Sequence, residues 1–273
     1  MSEDLTTWAD ALEAVIRQSS EPRAIDRVAV IADTASTQDV ARSMSAGTPG
    51  LLVIAGRQTG GRGRLGRPWH DTPAKSLAMS VALDAHRFSQ ALVSLGVGVA
   101  IARASERACA LRRLGLRWPN DVVDPETGRK LAGVLIERSG AQLIVGMGVN
   151  VSQSPADWPE ALRDDAASLA QLGSPMSRLE FARLLLAELE AALATPEEPL
   201  SEAWGARDIL VGTRRTFVSG NERRTGLVRS IAPTSEIVIE DDTGARRTLS
   251  APTTSLMPET DADPGEQARG RCG

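Results

Sequence analysis

Hydrophobic positions along the chain repeat with two different periods, which predicts that helices and strands alternate. The apolar residues of the first segment recur at helical spacing, namely Leu5, Trp8, Leu12, Val15 and Ile16. This spacing predicts an amphipathic helix over residues 4–18. Ser36 opens a further helical segment, and Asp39 follows three residues later. Because side chains at this spacing can satisfy each other's backbone N–H groups, Ser36 and Asp39 are predicted to form a capping box.

The other apolar segments predict more strands and helices. Short runs rich in Val, Leu, Ile and Ala predict strands at Val28–Ala32, Leu51–Ala55, 76–83, Leu114–Trp118, Leu131–Glu137 and Leu143–Asn150. Longer runs predict helices at 89–112, 163–172, 177–194 and 200–210. The first of these is so rich in Ala, Val and Leu that a buried helix is expected.

The hydrophobic pattern changes after Gly212. Four short runs then follow closely, at Arg215–Val218, Gly226–Ile231, Glu236–Glu240 and Arg246–Leu249. Closely spaced short strands with turn residues between them are typical of small barrels, so residues 212–257 are predicted to form a small β-barrel domain. A larger domain is predicted for residues 1–211. Residues 258–273 have little apolar surface to bury and are predicted to be disordered.

Composition narrows the class of protein. The net charge is −4, with 31 basic and 35 acidic residues, whereas nucleic-acid-binding proteins usually carry a basic excess. Cys109 and Cys272 do not make a disulfide framework, and the N-terminus lacks a basic, apolar leader, so a cytoplasmic location is expected. No apolar run reaches about 18 residues, so no membrane span is expected.

A segment rich in glycine and arginine, residues 56–69, follows the predicted strand Leu51–Ala55. It contains four closely spaced glycines and four arginines, namely Gly60, Gly61, Gly63, Gly66, Arg57, Arg62, Arg64 and Arg67. Such a loop can turn backbone N–H groups toward an anion while guanidinium groups hold a phosphate. Contact with a phosphate or nucleotide is therefore favoured over a merely solvated basic loop.

Part of this segment matches a dinucleotide-binding fingerprint. Gly61, Gly63 and Gly66 fit the pattern G-x-G-x-x-G. That fingerprint must open a helix whose N-terminus holds a pyrophosphate. Pro68 and Pro73 follow the glycines, and a helix does not run through them. The dinucleotide interpretation is therefore disfavoured, and a Walker-type loop is excluded because no Gly-Lys-Ser/Thr follows.

A second polar cluster lies in residues 117–137. Trp118-Pro119 ends one predicted strand, Asn120 and Asp121 favour a turn, and Lys130 enters the next strand before an apolar run. The residues alone leave two interpretations open. One is a polar focus formed by the lysine with the Asn-Asp pair, and the other is a hairpin with an exposed lysine.

Taken together, these segments resemble the biotin protein ligases. Four motifs occur in the family's order, namely Ser36-Thr37, Gln58-x-Gly-Gly-Arg-Gly-Arg-x-Gly-Arg-x-Trp69, Trp118-Pro-Asn-Asp121 with Lys130-Leu-Ala-Gly-Val-Leu-Ile-Glu137, and Gly146-x-Gly-Val-Asn150. Four motifs in order are far more specific than one. The resemblance implies an α+β fold of the class II synthetase type, with a mixed, largely antiparallel central sheet, helices packed on it and a small C-terminal β-barrel.

The resemblance also implies roles for individual residues. Biotin is expected to contact Ser36, Thr37, Gln38, Gln58, Arg62, Gly63, Arg64, Lys130 and Gly133. A nucleotide is expected to contact Arg64, Arg67, Trp69, Asn120, Lys130 and Asn150. The expected catalytic residues are Arg62, Lys130, Asp121 and Asn120, and no protein ligand of a metal is assigned.

The activity implied by the resemblance is formation of biotinyl-5'-AMP from biotin and ATP, with Mg²⁺, followed by transfer of biotin to a lysine. The implied partner is the biotin carboxyl carrier domain of a biotin-dependent carboxylase. A monomer or weak homodimer without membrane contact is expected. About 27 residues precede the first predicted core strand, too few for a helix-turn-helix domain, so no DNA binding is expected.

Three positions depart from the family pattern. Gln38-Asp39 stands where the family often has Asn and then a polar residue. Arg117 stands where many members carry Lys, and a guanidinium does not reproduce ammonium geometry. The segment 152–168, expected to cover the adenylate, contains Trp158, but its equivalence to the Trp of some members is not established, so the residue that stacks on adenine stays unassigned.

Two other functions are kept as alternatives. A lipoate-type acyl ligase shares the catalytic fold, although its motifs differ from those found here. A non-catalytic protein that binds biotin, or regulates in response to it, would keep the pocket and lose the lysine, whereas this chain has both Lys130 and Asp121.

Overall fold

The computed structural model describes residues 4–19, 22–110 and 113–257. The chain divides into two compact units, with the division between Arg207 and Asp208, four residues before the position that the hydrophobic pattern indicates. The tail predicted to be disordered, residues 258–273, lies outside the described residues.

The larger unit is built on a seven-stranded sheet. Its strands are β1 (Arg27–Thr34), β2 (Leu51–Gln58), β3 (Ser76–Asp84), β4 (Gly115–Arg117), β5 (Asp121–Val123), β6 (Lys130–Ser139) and β7 (Gln142–Asn150). Their order across the sheet is β1-β2-β3-β7-β6-β5-β4. β1 and β2 pair in parallel, and the remaining described neighbours pair in antiparallel. This mixed, largely antiparallel sheet confirms the predicted fold class.

Helices pack on this sheet, and the longest of them fills the core. The helices are α1 (Trp8–Gln18), α2 (Thr37–Ser45), α3 (Gln90–Ala108), α4 (Arg178–Leu193) and α5 (Glu197–Gly205). The helix α3 is buried along most of its length because it contacts α4 and α5 as well as β4, β5 and β6. None of the helices in the described ranges combines the length and the apolar character needed to cross a bilayer.

The helix predicted at 163–172 is wrong, because this segment forms turns. Its backbone pairs with the strand ends instead of with itself. The N–H of Lys130 donates to the carbonyl of Asp165 at 2.7 Å, and the N–H of Ala167 donates to the carbonyl of Lys130 at 2.9 Å. The predicted helix at 200–210 begins and ends earlier, as α5, and residues beyond Gly205 form turns.

The predicted capping box at α2 is also wrong. Ser36 does occupy the position before the helix, but its side chain makes no capping hydrogen bond. Asp39 instead binds Arg62 and Arg42, each at 2.7 Å. A carboxylate that two guanidinium groups engage is drawn away from the helix N-terminus, which leaves the Ser36 side chain buried but without a capping role.

The smaller unit is a five-stranded antiparallel sheet. Its strands are β8 (Arg214–Ser219), β9 (Glu222–Ala232), β10 (Glu236–Glu240), β11 (Arg246–Ser250) and β12 (Thr254–Leu256), in the order β11-β10-β9-β8-β12. Four of these strands match the predicted runs, and β12 is an addition. Apolar residues at alternating positions, such as Ile237 and Ile239, are buried in its core.

Candidate active site

Glycines form a groove on one face of the larger sheet. Gly133 of β6 pairs with Gly148 of β7, and Gly146 lies two residues before Gly148, so all three face the same side. Because these positions have no Cβ atom, other side chains lie directly on the backbone. A Cβ on Gly148 would be 2.5 Å from the Trp69 indole, and one on Gly133 would be 2.9 Å from the Lys130 Nζ. The Gly-Arg segment and β6 therefore meet over this groove.

One end of the groove is lined by polar groups from α2 and β2. The Gln58 Oε1 atom accepts hydrogen bonds from the Thr37 backbone N–H at 2.9 Å and from its hydroxyl at 3.1 Å. The Thr37 hydroxyl also lies 2.7 Å from that of Ser80. The Gln38 amide donates to Glu137 at 3.0 Å. The structure thus brings together the residues predicted for biotin at this end, with their donors and acceptors already ordered.

Arg62 belongs to the same end. Its two Nη atoms bind the two carboxylate oxygens of Asp39, both at 2.7 Å, in the bidentate geometry that a guanidinium favours. Glu137 lies 3.9 Å from Arg62, and Arg42 also bonds both acidic residues. The hydrogen bond from Arg62 is the main cause that lowers the pKa of Asp39. Arg62 is therefore suited to bind an anion, and in this structure it binds the carboxylate of Asp39.

Lys130 marks the other end of the groove. Its Nζ lies 2.5 Å from one oxygen of Asp121, and Arg117 binds the other oxygen at 3.0 Å. Burial by itself raises the pKa of Asp121, but Lys130 and then Arg117 outweigh it, and the net pKa is lowered. Asp121 is therefore ionised at neutral pH and holds Lys130 beside the groove, 5.8 Å from the centre of the Trp69 ring.

The Gly-Arg segment folds into a small hairpin that carries its arginines to this site. The Gly63 N–H donates to the Arg67 carbonyl at 2.7 Å, and the Trp69 N–H donates to the Gly61 carbonyl at 2.9 Å. Burial lowers the pKa of Arg64, and the Asp121 charge partly offsets this effect. Arg64 is thus close enough to interact with the Lys130 end, whereas the Arg67 side chain is exposed.

Arg62 and Lys130 are held by different acidic residues, Asp39 and Asp121. Lys130 folds over Gly133, while Arg62 lies beside Glu137, four residues further along β6. At about 3.3 Å per strand residue, the backbone positions of Gly133 and Glu137 are about 13 Å apart. Arg62 and Lys130 are therefore held at different ends of the glycine groove, and Asp121, the partner of Lys130, also interacts with the charge of Arg64.

The two predicted asparagines bind the backbone of the strands around Lys130. Asn120 donates to the carbonyl of Val134 at 2.6 Å. Asn150 donates to the carbonyls of Lys130 at 3.2 Å and Ala167 at 3.0 Å. These bonds fix the first residues of β6, so both asparagines position Lys130, and their contact with a nucleotide stays a prediction.

Several residues of this site carried no sequence prediction of a site role. Asp39, Glu137 and Arg117 pair directly with the predicted cations, and Ser80 pairs with Thr37. Glu137 and Arg117 both lie within the second cluster, residues 117–137. Acidic residues near a set of basic ones could have indicated the ion pairs of this site from the sequence. Nothing in the sequence indicates Ser80, which reaches the site only through the pairing of β3 with β2.

Replacing Gly148 with alanine is expected to raise the KM for ATP about ten-fold, because a methyl group 2.5 Å from the indole forces Trp69 off the groove. The measurement is biotin-dependent pyrophosphate release at varied ATP concentration. Gly205→Ala, at the last residue of α5, is the control, because nothing lies within 4 Å of its added Cβ and its φ is not positive. An unchanged KM in Gly148→Ala would show that Trp69 does not contact the nucleotide.

Comparison with known proteins supports the resemblance found in the motifs. A model of the biotin/lipoate A/B protein ligase family matches residues 30–153. A biotin--[acetyl-CoA-carboxylase] ligase from Mycobacterium tuberculosis is 34% identical over 232 residues, which cover 80% of this chain and 84% of that protein. One of the same name from Paracoccus denitrificans is 30% identical over 79% of this chain and 95% of that protein.

The solved structures agree with the sequence relatives. A biotin protein ligase from Aquifex aeolicus, in complex with biotin and ATP, superposes with a TM-score of 0.73 and 28% identity. The match covers 84% of this chain and 98% of that one. Fold, motif order and identity over most of the relatives' length point the same way. The chain belongs to the biotin protein ligase family.

Proposed function

We propose that this protein joins biotin to AMP at the expense of ATP and then transfers biotin to a lysine of a biotin carboxyl carrier protein. The observation that supports it most is the glycine groove, with an ordered polar end at Thr37 and Gln58 and a cationic end at Lys130. A ligand with a polar ring at one end and a carboxylate at the other fits such a groove.

The first step brings two anions together, the biotin carboxylate and the α-phosphate of ATP. Lys130 and Arg64 lie at the same end of the groove and reduce the repulsion between them. As the carboxylate attacks phosphorus and pyrophosphate leaves, negative charge grows on the phosphoryl oxygens. Fixed cations stabilise this charge more in the transition state than in the ground state. The product is a mixed anhydride of biotin and AMP.

In the second step a neutral lysine amine of the carrier attacks the anhydride carbonyl, the bond between the carbonyl and the phosphate breaks, and AMP leaves. The proton lost by the amine passes to water or to the phosphate of the departing AMP. Asp121 is one of the expected catalytic residues, and a carboxylate can either orient this amine or accept its proton. Because Lys130 and Arg117 lower its pKa, the Asp121 carboxylate is a weak base at neutral pH. We therefore assign it the orienting role, through hydrogen bonds to the two cations and to the incoming amine.

Mg²⁺ enters this scheme as a substrate, in complex with the phosphates of ATP. The described residues contain no cluster of three or more His, Cys, Asp or Glu side chains suited to a metal. Mg²⁺ bound through phosphates needs only one or two protein carboxylates and otherwise keeps its waters. The acceptor, the monomer or weak homodimer, the lack of DNA binding and the cytoplasmic location stay predictions.

Replacing Arg64 with glycine is expected to release the adenylate about ten-fold faster, because one charge-assisted hydrogen bond to the phosphoryl group is lost. The measurement is dissociation of preformed biotinyl-5'-AMP in a stopped-flow chase. Arg67→Gly is the comparison in the same hairpin, and its exposed side chain predicts a smaller change. Equal dissociation rates of the adenylate from wild type and Arg64→Gly would show that Arg64 does not contact the adenylate.

The experiment that tests the function is transfer of labelled biotin to a carboxyl carrier domain, with and without ATP. ATP-dependent labelling of one lysine supports the proposal. A parallel reaction with lipoate separates the lipoate-type alternative, because such an enzyme would release pyrophosphate with lipoate and not with biotin. Biotin binding without pyrophosphate release would favour the non-catalytic alternative.

A further inference from the structure

The side chain of Gln38 lies in the glycine groove, at the end where the polar groups of α2 and β2 meet. Gln38 is the second residue of α2 and is almost completely buried. It packs on Gly146, where an added Cβ would be 2.7 Å from the Gln38 Cδ and 2.8 Å from its Oε1. Gly146 pairs with Leu135 on one side and with Ser80 on the other. The Gln38 amide therefore lies on the face of the sheet that carries the groove.

Acceptors on β6 fix which way the Gln38 amide points. Its Nε2 atom donates to the Glu137 carboxylate at 3.0 Å and to the Leu135 carbonyl at 3.3 Å. Both partners only accept hydrogen bonds, so the nitrogen must face them and the oxygen must face away. No donor within the described ranges bonds the Gln38 Oε1. An oriented acceptor is therefore left at the biotin end.

The amide of Gln58 is fixed in the opposite sense. Its Oε1 accepts from the backbone N–H and the hydroxyl of Thr37, which leaves its Nε2 as the end that can donate. Thr37 and Gln38 are neighbours in α2, so the two amides lie at the same end of the groove. One amide offers a donor and the other an acceptor. A cyclic urea, in which a carbonyl stands between two N–H groups, needs both.

We propose that Glu137 is a positioning residue for biotin, because it holds the Gln38 amide with its oxygen toward an N–H of the ureido ring. This inference rests on the proposed function, since it names the ligand group that the biotin end recognises. Glu137 acts through Gln38 and does not touch the ligand. A carboxylate suits this role because it cannot donate, whereas an amide in its place could turn and let Gln38 reverse. A fixed acceptor also disfavours an acid whose ring has no N–H, such as lipoate.

A double-mutant cycle tests whether Glu137 acts through Gln38. Gln38→Met keeps a similar side-chain length and removes the amide, so the Kd for biotin is expected to rise about ten-fold, the loss of one hydrogen bond. Glu137→Gln is expected to raise this Kd about five-fold, because Gln38 can then reverse. In the Gln38→Met background, Glu137→Gln is expected to change the Kd less than about two-fold. The measurement is calorimetric titration of the full chain with biotin, without ATP.

Two further readouts separate this role from a merely structural one. The KM for ATP, from pyrophosphate release, is expected to stay within about two-fold in Glu137→Gln, and melting temperatures report the folded state. Glu188→Gln is the matched control, because Glu188 binds an arginine, Arg107 at 2.6 Å, away from the groove. Additive effects of Gln38→Met and Glu137→Gln on the biotin Kd overturn the inference, as does an unchanged Kd in Glu137→Gln alone.

Failure of the proposed function gives a different result. A wild-type chain that binds biotin but releases no pyrophosphate contradicts the proposed function, and the cycle of Kd values still decides the role of Glu137. A wild-type chain that does not bind biotin contradicts both the proposed function and the inference.

Discussion

Replacing Lys130 with alanine is expected to lower kcat/KM for adenylation by about a thousand-fold, the upper range for loss of one preorganised charge at the reacting centre. Lys130 is one of only two lysines in the sequence, against 29 arginines. Its ammonium lies within bonding distance of Asp121 and over Gly133, where a flat guanidinium has little room. Lys130→Arg is therefore expected to restore only part of the activity.

The fold is expected to survive the loss of Lys130. Asp121 keeps its bond to Arg117, so no unpaired buried charge is left behind. Arg107→Ala serves as the control, because it removes an exposed cation that pairs with Glu188 away from the groove. The measurement is biotin-dependent pyrophosphate release with melting temperatures alongside. Activity within ten-fold of wild type in Lys130→Ala would exclude this residue from the chemistry.

The sequence predicts those parts of the molecule that local patterns determine. The strands β1, β2, β3, β6 and β7 match their apolar runs. Each of these runs is longer than the turn or helix patterns in the neighbouring residues. The strand β5 is different, since Val122 and Val123 are its only apolar residues and the Asn120-Asp121 pair at its start indicates a turn. Its pairing with β6 supplies what the local pattern lacks.

The residues of the site divide in the same way, into those that a local motif predicts and those that only the folded sheet brings to the site. Gln58, Lys130 and the glycines belong to motifs, so their identities were predictable. Partners such as Asp39 and Ser80 come from distant segments and meet the motifs only in the folded sheet. Asp39 also shows how tertiary contacts override local rules. Its spacing from Ser36 favours a capping box, but Arg62 and Arg42 offer two charged partners, which bind a carboxylate more strongly than backbone N–H groups do.

The pairing of Arg62 with Asp39 changes what Arg62 is expected to do. The family resemblance implies that Arg62 and Lys130 both contact biotin and both act in catalysis. In the structure Arg62 instead binds Asp39 at the opposite end of the groove. Arg42 also binds Asp39. Arg62 can therefore move from Asp39 to a ligand carboxylate or phosphate while the Asp39 carboxylate stays paired. We therefore expect Arg62 to exchange partners when ligand binds.

Replacing Arg62 with alanine is accordingly expected to lower kcat/KM for biotin about a hundred-fold, the loss of one bidentate, charge-assisted contact. Arg42→Ala is the matched control, because it removes the same charge from the same acidic partners, Asp39 and Glu137. If Arg62 binds ligand, Arg42→Ala changes kcat/KM less than three-fold. Equal losses in both variants would mean that Arg62 only holds α2 in place, because a purely structural role makes no distinction between two arginines on one carboxylate.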